Sequence, residues 1–262
     1  SVMYWHRWFA LDGDSRIYGR AVTGAANLLF LFLVVSGVYL WWPKTWSPSL
    51  LRQVTWFRTG LKGRARNFNW HYVIGLWMSL PLAIIAFSGS AIGYRWFSDG
   101  IYLAFGENPP IRATTTSRSD AEKANSTEQR HYASYQPMFE QANVDAKLWN
   151  AITLRLPVDN ADRVLLLVDR GTGRQPSKQY ELAFDRDNGD LIERTGYPTY
   201  SRARKFRRWL RFAHTGEVYG LLGQTIAGIA ASGAVVLVWT GLAMAWRRFR
   251  NCLLYTSDAA DE

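Results

Sequence analysis

The sequence predicts an α-helical membrane bundle with an inserted α+β extramembrane domain. Three observations predict it. Stretches near 21–42, 71–94 and 218–246 hold no Asp, Glu, Lys or Arg, and each approaches or exceeds the ~20 residues a helix needs to cross a bilayer. Basic residues crowd one set of their ends. Between 95 and 213 the chain turns polar and contains short strand-like runs. A mean hydropathy of −0.16 therefore averages lipid-facing segments with an aqueous insert. The 48% apolar content and 13 each of Trp, Tyr and Phe exclude a disordered chain.

Residues 3–11, Met-Tyr-Trp-His-Arg-Trp-Phe-Ala-Leu, suit a short interfacial helix within an outer segment 1–20. Asp12-Gly13-Asp14-Ser15 breaks it and offers Asp14 or Ser15 as N-cap of the next helix. The first crossing, 21–42, ends in Trp41-Trp42-Pro43-Lys44, a paired aromatic anchor followed by a helix breaker and a cation. Residues 43–70 form a basic loop with Lys44, Arg52, Arg58, Lys62, Arg64 and Arg66 and no acid. The second crossing is 71–94. The third, within 214–247, is followed by Arg247, Arg248 and Arg250. The excess of Lys and Arg places loop 43–70 and tail 248–262 in the cytoplasm and residues 95–213 outside, in the periplasm of a Gram-negative cell. The cluster Arg202, Arg204, Lys205, Arg207, Arg208 and Arg211 lies on the outer side against this trend, but long domains translocate largely regardless of charge.

Within the insert, 113–127 reads as a linker and 136–148 as a helix. Runs 151–156, 163–168 and 179–184 read as strands. Asn188-Gly189 between strand residues signals a hairpin. A helix followed by an antiparallel meander is a small α+β module. Ser1 is not an initiator Met, and 251–262 departs from the pattern before it. A fragment with a foreign C-terminus is expected.

The net charge of +10 comes without a nucleic-acid motif and sits largely beside apolar runs, where it serves topology and lipid headgroups. One cysteine, Cys252, excludes an internal disulfide and a thiolate metal cage. There is no Walker A, GxGxxG, GxSxG or HExxH sequence, which argues against nucleotide, flavin, serine-hydrolase and zinc-protease sites.

Two features carry chemistry. A repeat sets [Ser/Thr]-Gly ahead of an interfacial aromatic with four residues between them, as Ser36-Gly37 before Trp42, Ser88-Gly89 before Tyr94 and Thr240-Gly241 before Trp246. Such small residues let another helix, or a flat cofactor, approach closely. Three of the four histidines, His6, His71 and His214, stand at the mouths of the apolar runs, while His131 lies in the polar insert as an ordinary solvated side chain. A single interfacial His is often only an anchor. Three at helix mouths point to axial ligands of b-type haem iron held between helices. His6 and His214 share the outer side and form one pair. His71 lies at the inner end, a membrane thickness of ~30 Å away. It needs another partner; Met244 lies near that level, though a packing role is the plainer reading for it.

These residues resemble the PepSY-associated transmembrane family. The resemblance rests on His6-Arg7-Trp8, on Ser36-Gly37-Val38-Tyr39-Leu40-Trp41-Trp42-Pro43, on Trp70-His71 with Gly75-Leu76-Trp77, and on His214-Thr215-Gly216 with Gly220. It covers about residues 3–250, and hairpin 185–192 looks like the family's PepSY module. Members include haem-containing inner-membrane reductases that release iron from ferric siderophores. The resemblance implies a further upstream helix supplying the partner of His71, hence four or more helices and two haems in the intact protein. It also implies electron flow from a quinol or protein donor to a ferric siderophore or other iron chelate. The alternative is a non-enzymatic membrane-anchored PepSY module that binds or restrains a periplasmic partner, in which the histidines are anchors and no cofactor exists.

Overall fold

A computed structural model describes residues 2–42, 45, 47–110, 133–146, 148–155 and 162–258. The chain divides into two compact units, residues 1–97 with 213–262, and residues 98–212. Linker 113–127 and His131 lie outside the described residues.

The first unit is helical. Helix α1 spans Val2–Trp8, α2 Arg16–Trp41, α3 Pro48–Thr55 and α4 Gly63–Gly93. Among the described residues three helical stretches, Gly13–Trp41, Gly63–Gly93 and Glu217–Cys252, are long and apolar enough to cross a membrane. Helix α2 buries only Gly19 and leaves Leu29, Phe32, Leu33 and Val35 exposed. A helix apolar on all sides and yet exposed fits a lipid surrounding.

Helix α4 is the centre of the bundle, with α2 on one flank. Asn27 of α2 donates to the Ala86 carbonyl and to Ser90 Oγ, both at 2.9 Å. Arg20 donates to the Gly93 carbonyl at 2.7 Å, satisfying one of the open carbonyls at the end of α4. On the other flank, Gly233 meets Met78 and Ile74, and Gly75 meets Leu237. Rising numbers on one helix meet falling numbers on its neighbour, so both pairs are antiparallel. Buried Ser88, Ser90, Asn69 and Thr240 are the polar residues of this interior, and each has hydrogen-bond partners, as burial away from water requires.

The ends of the helices differ from the sequence expectations. Ser15 does occupy the N-cap of α2, but it makes no side-chain cap bond because a 3-10 turn over Gly13–Ser15 already brings it to helical angles. The second long helix starts at Gly63, inside the stretch expected as loop, since 64–70 contain no Pro or Gly to stop it. Helix α3 was not expected; Ser47 caps it by accepting from Leu50 N–H, with Pro48 in its first turn. The last helix of the chain continues to Asp258, past the point where the sequence pattern changes, again for want of a breaker.

In the second unit lie the greater part of α5, Arg95–Ala104, helix α6, Tyr135–Ala146, and strands β1 Ala151–Arg155, β2 Arg163–Asp169, β3 Gln179–Asp185 and β4 Leu191–Gly196. Helix α7, Arg202–Ala213, follows, and α8, Gly220–Asp258, returns the chain to the first unit. The sheet is an antiparallel meander in the order β1-β2-β3-β4. Alternate residues Val164, Leu166 and Val168 turn inward, and Leu166 pairs with Leu182 and Val164 with Phe184. Met138 and Ala142, one turn apart on α6, complete this core. The Asn-Gly signal falls within a connection longer than a two-residue turn. Asp185 Oδ1 accepts from the Asp187 and Asn188 N–H groups, Gly189 takes φ +81°, and a bulge lies at Ala183/Phe184.

Candidate functional site: two histidine ends of a helix bundle

His6 is placed by packing rather than by its own bonds. It lies on α1, which rests on the start of α2 at Gly19. A Cβ at Gly19 would stand 2.3 Å from the Trp8 carbonyl oxygen, so only glycine admits the α1 backbone there. The Thr23 hydroxyl shares its hydrogen between the Arg7 carbonyl at 3.0 Å and the Gly19 carbonyl of its own helix at 2.9 Å. Arg16 lies 5.0 Å from the ring centres of both Tyr4 and Trp8, and it pairs with Asp12 at 3.6 Å. Tyr4 Oη donates to the same Asp12.

His214 is placed by a glycine pair. Gly216 adopts φ +73°, and a Cβ on it would stand 2.3 Å from the Gly223 carbonyl oxygen; a Cβ on Gly223 would stand 2.2 Å from the Gly216 carbonyl oxygen. The segment after His214 therefore folds tightly onto the first turns of α8. His214 Nδ1 lies 3.0 Å from Ser88 Oγ and 3.0 Å from the Ile85 carbonyl oxygen of α4. The rings of His6 and His214 come together, with centres 6.0 Å apart and planes inclined by 43°.

His71 stands toward the other end of α4, two turns inside the helix and at the start of its apolar run. Its Nδ1 lies 2.9 Å from Thr240 Oγ1 on α8, and a Cβ on Gly241 would touch its Cε1 at 3.5 Å. About 25 Å of helix, at 1.5 Å per residue, separates His71 from Ser88. Asn69, two residues before His71, is buried and ties the loop to the helix. Its Oδ1 accepts from Arg58 N–H at 3.0 Å, and its Nδ2 donates to the Gln53 and Trp56 carbonyls at 3.3 Å. Met244 is half-buried one turn beyond Thr240. Among the described residues no group of three or more His, Cys, Asp or Glu side chains is arranged to hold a metal ion.

This arrangement of three spans with histidines at both ends, interrupted by a four-stranded unit, can be set against known families. The family model of the PepSY-associated TM region matches residues 2–248. The chain belongs to the PepSY-associated TM family. No curated protein matches it. As a PepSY-associated TM protein it is a membrane protein in contact with the bilayer. The sequence reading brought out the histidines, and the structure joins His6 to His214 and leaves His71 apart. It missed Asn27, Asn69, Gly19 and Thr23. A lone Asn inside an apolar run, as Asn27 is, was the available signal. The glycines of the repeat serve helix packing in part: Gly89 admits Asn27, whose Oδ1 would be 3.0 Å from a Cβ there.

In the second unit, the basic cluster is largely committed to the unit's own structure. Arg207 donates to Ser98, and Arg208 donates to Tyr200 Oη at 3.0 Å and Gln179 Oε1 at 2.6 Å. Arg204 lies 3.9 Å from the Tyr200 ring centre, and Lys205 donates to the Pro198 carbonyl. A separate groove of about 650 Å³ is lined by Arg170, Lys178 and Arg194 with Tyr197 and Thr199 and, among the described residues, by no acid.

Proposed function

We propose that the protein is a haem-b protein of the bacterial inner membrane that passes electrons across the bilayer to a ferric chelate, such as a siderophore, in the periplasm. The observation that carries this reading is the His6–His214 pair. A metal–imidazole bond is about 2 Å, and a ring nitrogen stands about 1 Å from its ring centre, so two imidazoles gripping one ion from opposite sides have centres about 6 Å apart. The 6.0 Å separation fits that requirement. A b-type haem bound there supplies a one-electron iron couple whose potential follows its axial ligands and burial.

His6 and His214 would hold the outer haem, and His71 offers one ligand for a second site at the opposite end. The Gly19 contact, the Thr23 hydroxyl and the Gly216–Gly223 pair keep the two outer rings at ligating distance. The reaction is a one-electron reduction of Fe(III) to Fe(II), with a quinol or a reduced protein as the source. Hard oxygen ligands hold the lower charge less strongly, which releases the iron. The basic groove at Arg170, Lys178 and Arg194 supports an anionic chelate as substrate.

The test is the full chain in proteoliposomes, reduced in advance and then given a ferric hydroxamate or ferric citrate. The proposal expects reoxidation of the protein with stoichiometric capture of Fe(II) by a ferrous chelator. A colourless preparation, or a reduced protein indifferent to ferric chelates, contradicts it and favours an anchored partner-binding module.

A further inference from the structure

Two of the three hydroxyls of the [Ser/Thr]-Gly repeat, those of Ser88 and Thr240, each meet the Nδ1 of a histidine. At the outer end, His214 Nδ1 lies 3.0 Å from both Ser88 Oγ and the Ile85 carbonyl oxygen. At the inner end, His71 Nδ1 lies 2.9 Å from Thr240 Oγ1. In each case Nδ1 of the imidazole meets a buried hydroxyl; His214 also meets the carbonyl three residues before that hydroxyl. Helix α4 thus takes His214, from the turn ahead of α8, on its Ser88 hydroxyl and presents its own His71 to the Thr240 hydroxyl of α8.

The protons in this contact are assigned by what each atom can do. A carbonyl oxygen only accepts. The Ser88 hydroxyl spends its single hydrogen on the Ile85 carbonyl at 2.9 Å, and the Thr240 hydroxyl spends its own on the Val236 carbonyl at 2.8 Å, shared with Leu237 at 3.2 Å. Both hydroxyls therefore face their histidine as acceptors, and Nδ1 carries the proton. In a neutral imidazole that leaves the lone pair on Nε2.

Such back-bonding of a hydroxyl to its own helix is common in apolar helices. Ser36, Ser79 and Ser232 also do it, to the Leu33, Leu76 and Gly228 carbonyls. Among the described residues, the two back-bonded hydroxyls that meet a histidine both meet one at the mouth of an apolar run. Both are also almost wholly buried, Ser88 at 0% and Thr240 at 1% exposure.

We infer that Ser88 and Thr240 are positioning residues, each holding its histidine as the Nδ1–H tautomer so that Nε2 is the nitrogen turned to ligation. The role in ligation rests on the haem reading; the tautomer itself does not. Donation from Nδ1–H to an acceptor also raises the basicity of Nε2, which favours the ferric state of an iron bound there.

The experiment uses the full chain in lipid nanodiscs, haem-free and haem-loaded, with ¹⁵N-labelled histidine. In the haem-free protein, the wild type is expected to show His71 and His214 with a protonated Nδ1 and a pyridine-like Nε2. Ser88→Ala should move the Nδ1–H resonance of His214 upfield and speed its exchange with solvent, leaving His71 unchanged. Thr240→Val should do the same to His71 alone. Ser88→Thr and Thr240→Ser should restore the wild-type shifts, and Ser79→Ala should alter neither ring. In the haem-loaded protein, loss of the hydroxyl acceptor should shift the midpoint potential of its own site upward. Wild-type rings with the proton on Nε2, or Nδ1–H signals indifferent to Ser88→Ala and Thr240→Val, overturn the inference whether or not haem binds. Failure to bind haem with the tautomers as expected removes the haem reading and leaves the tautomer assignment standing.

Discussion

Gly216 and Gly19 act at the histidine sites through the side chain they lack. An alanine at 216 would combine a left-handed backbone with a Cβ 2.3 Å from the Gly223 carbonyl oxygen, and Gly216→Ala should cost about 1–3 kcal/mol. A lowered unfolding midpoint of the detergent-solubilised protein, together with loss of the His214 contacts, is the expected result. Glu107 is a residue with a titration consequence. The Ser201 hydroxyl, then the Ala203 and Arg202 N–H groups and the Arg202 charge, hold its carboxyl below its ordinary range, against a smaller opposing effect of burial. A carboxylate whose folded pKa is depressed adds stability that is present above its unfolded pKa. That stability is lost as the pH falls through the folded value. Acid unfolding of the wild type and Glu107→Gln should therefore differ above the ordinary glutamate range and converge below it. At this scale, the histidines were legible because their type and position at the ends of apolar runs are written in the chain. Their hydroxyl partners were legible only as small residues, because a pairing such as Ser88 with His214 is created by helix packing.

Helix α4 holds the bundle together, and two of its side chains fasten the segment that precedes it. Asn69 bonds three backbone groups of 53–58, and Trp77 Nε1 adds a bond to the Thr55 carbonyl at 3.0 Å. Asn69→Ala leaves those groups to find other partners, at about 1–3 kcal/mol where they stay buried. Trypsin should then cut more rapidly at Arg58 and Lys62 than in the wild type, an effect followed by gel and mass spectrometry. In the second unit, Phe184 is fully buried between strands and α6. Phe184→Ala should cost about 3–5 kcal/mol, read as loss of cooperative unfolding of that unit within the full chain. The long helices and the meander could be read from the sequence because their periodicities reach over many residues. The early start of α4 and the existence of α3 could not, since charged residues outside a hydrocarbon core are as compatible with helix as with loop. The length of the β3–β4 connection depended on the bulge at Ala183/Phe184 and on the Asp185 side chain, which local turn signals do not encode.

For the molecule as a whole, the excess of Lys and Arg at 43–70 and 247–250 gives the bundle an orientation that can be measured. The single cysteine, Cys252, is exposed and stands on the proposed inner side, whereas Ser134 belongs to the unit proposed to lie outside. A membrane-impermeant maleimide should label Ser134→Cys in intact spheroplasts, on a background where Cys252 becomes reactive only after permeabilisation. The reverse pattern would invert the topology and with it the direction of electron flow. The family accounts for the membrane spans and for the chain's overall plan, while the redox reading rests on two imidazoles meeting at one end of the bundle. The most direct measurement is the reduced-minus-oxidised absorbance spectrum and low-spin electron paramagnetic resonance of the purified full chain beside His6→Ala and His214→Ala. The account predicts a bis-imidazole b-type signal that each substitution removes. A signal that survives either substitution, or a wild type that never acquires one when offered haem, would contradict it.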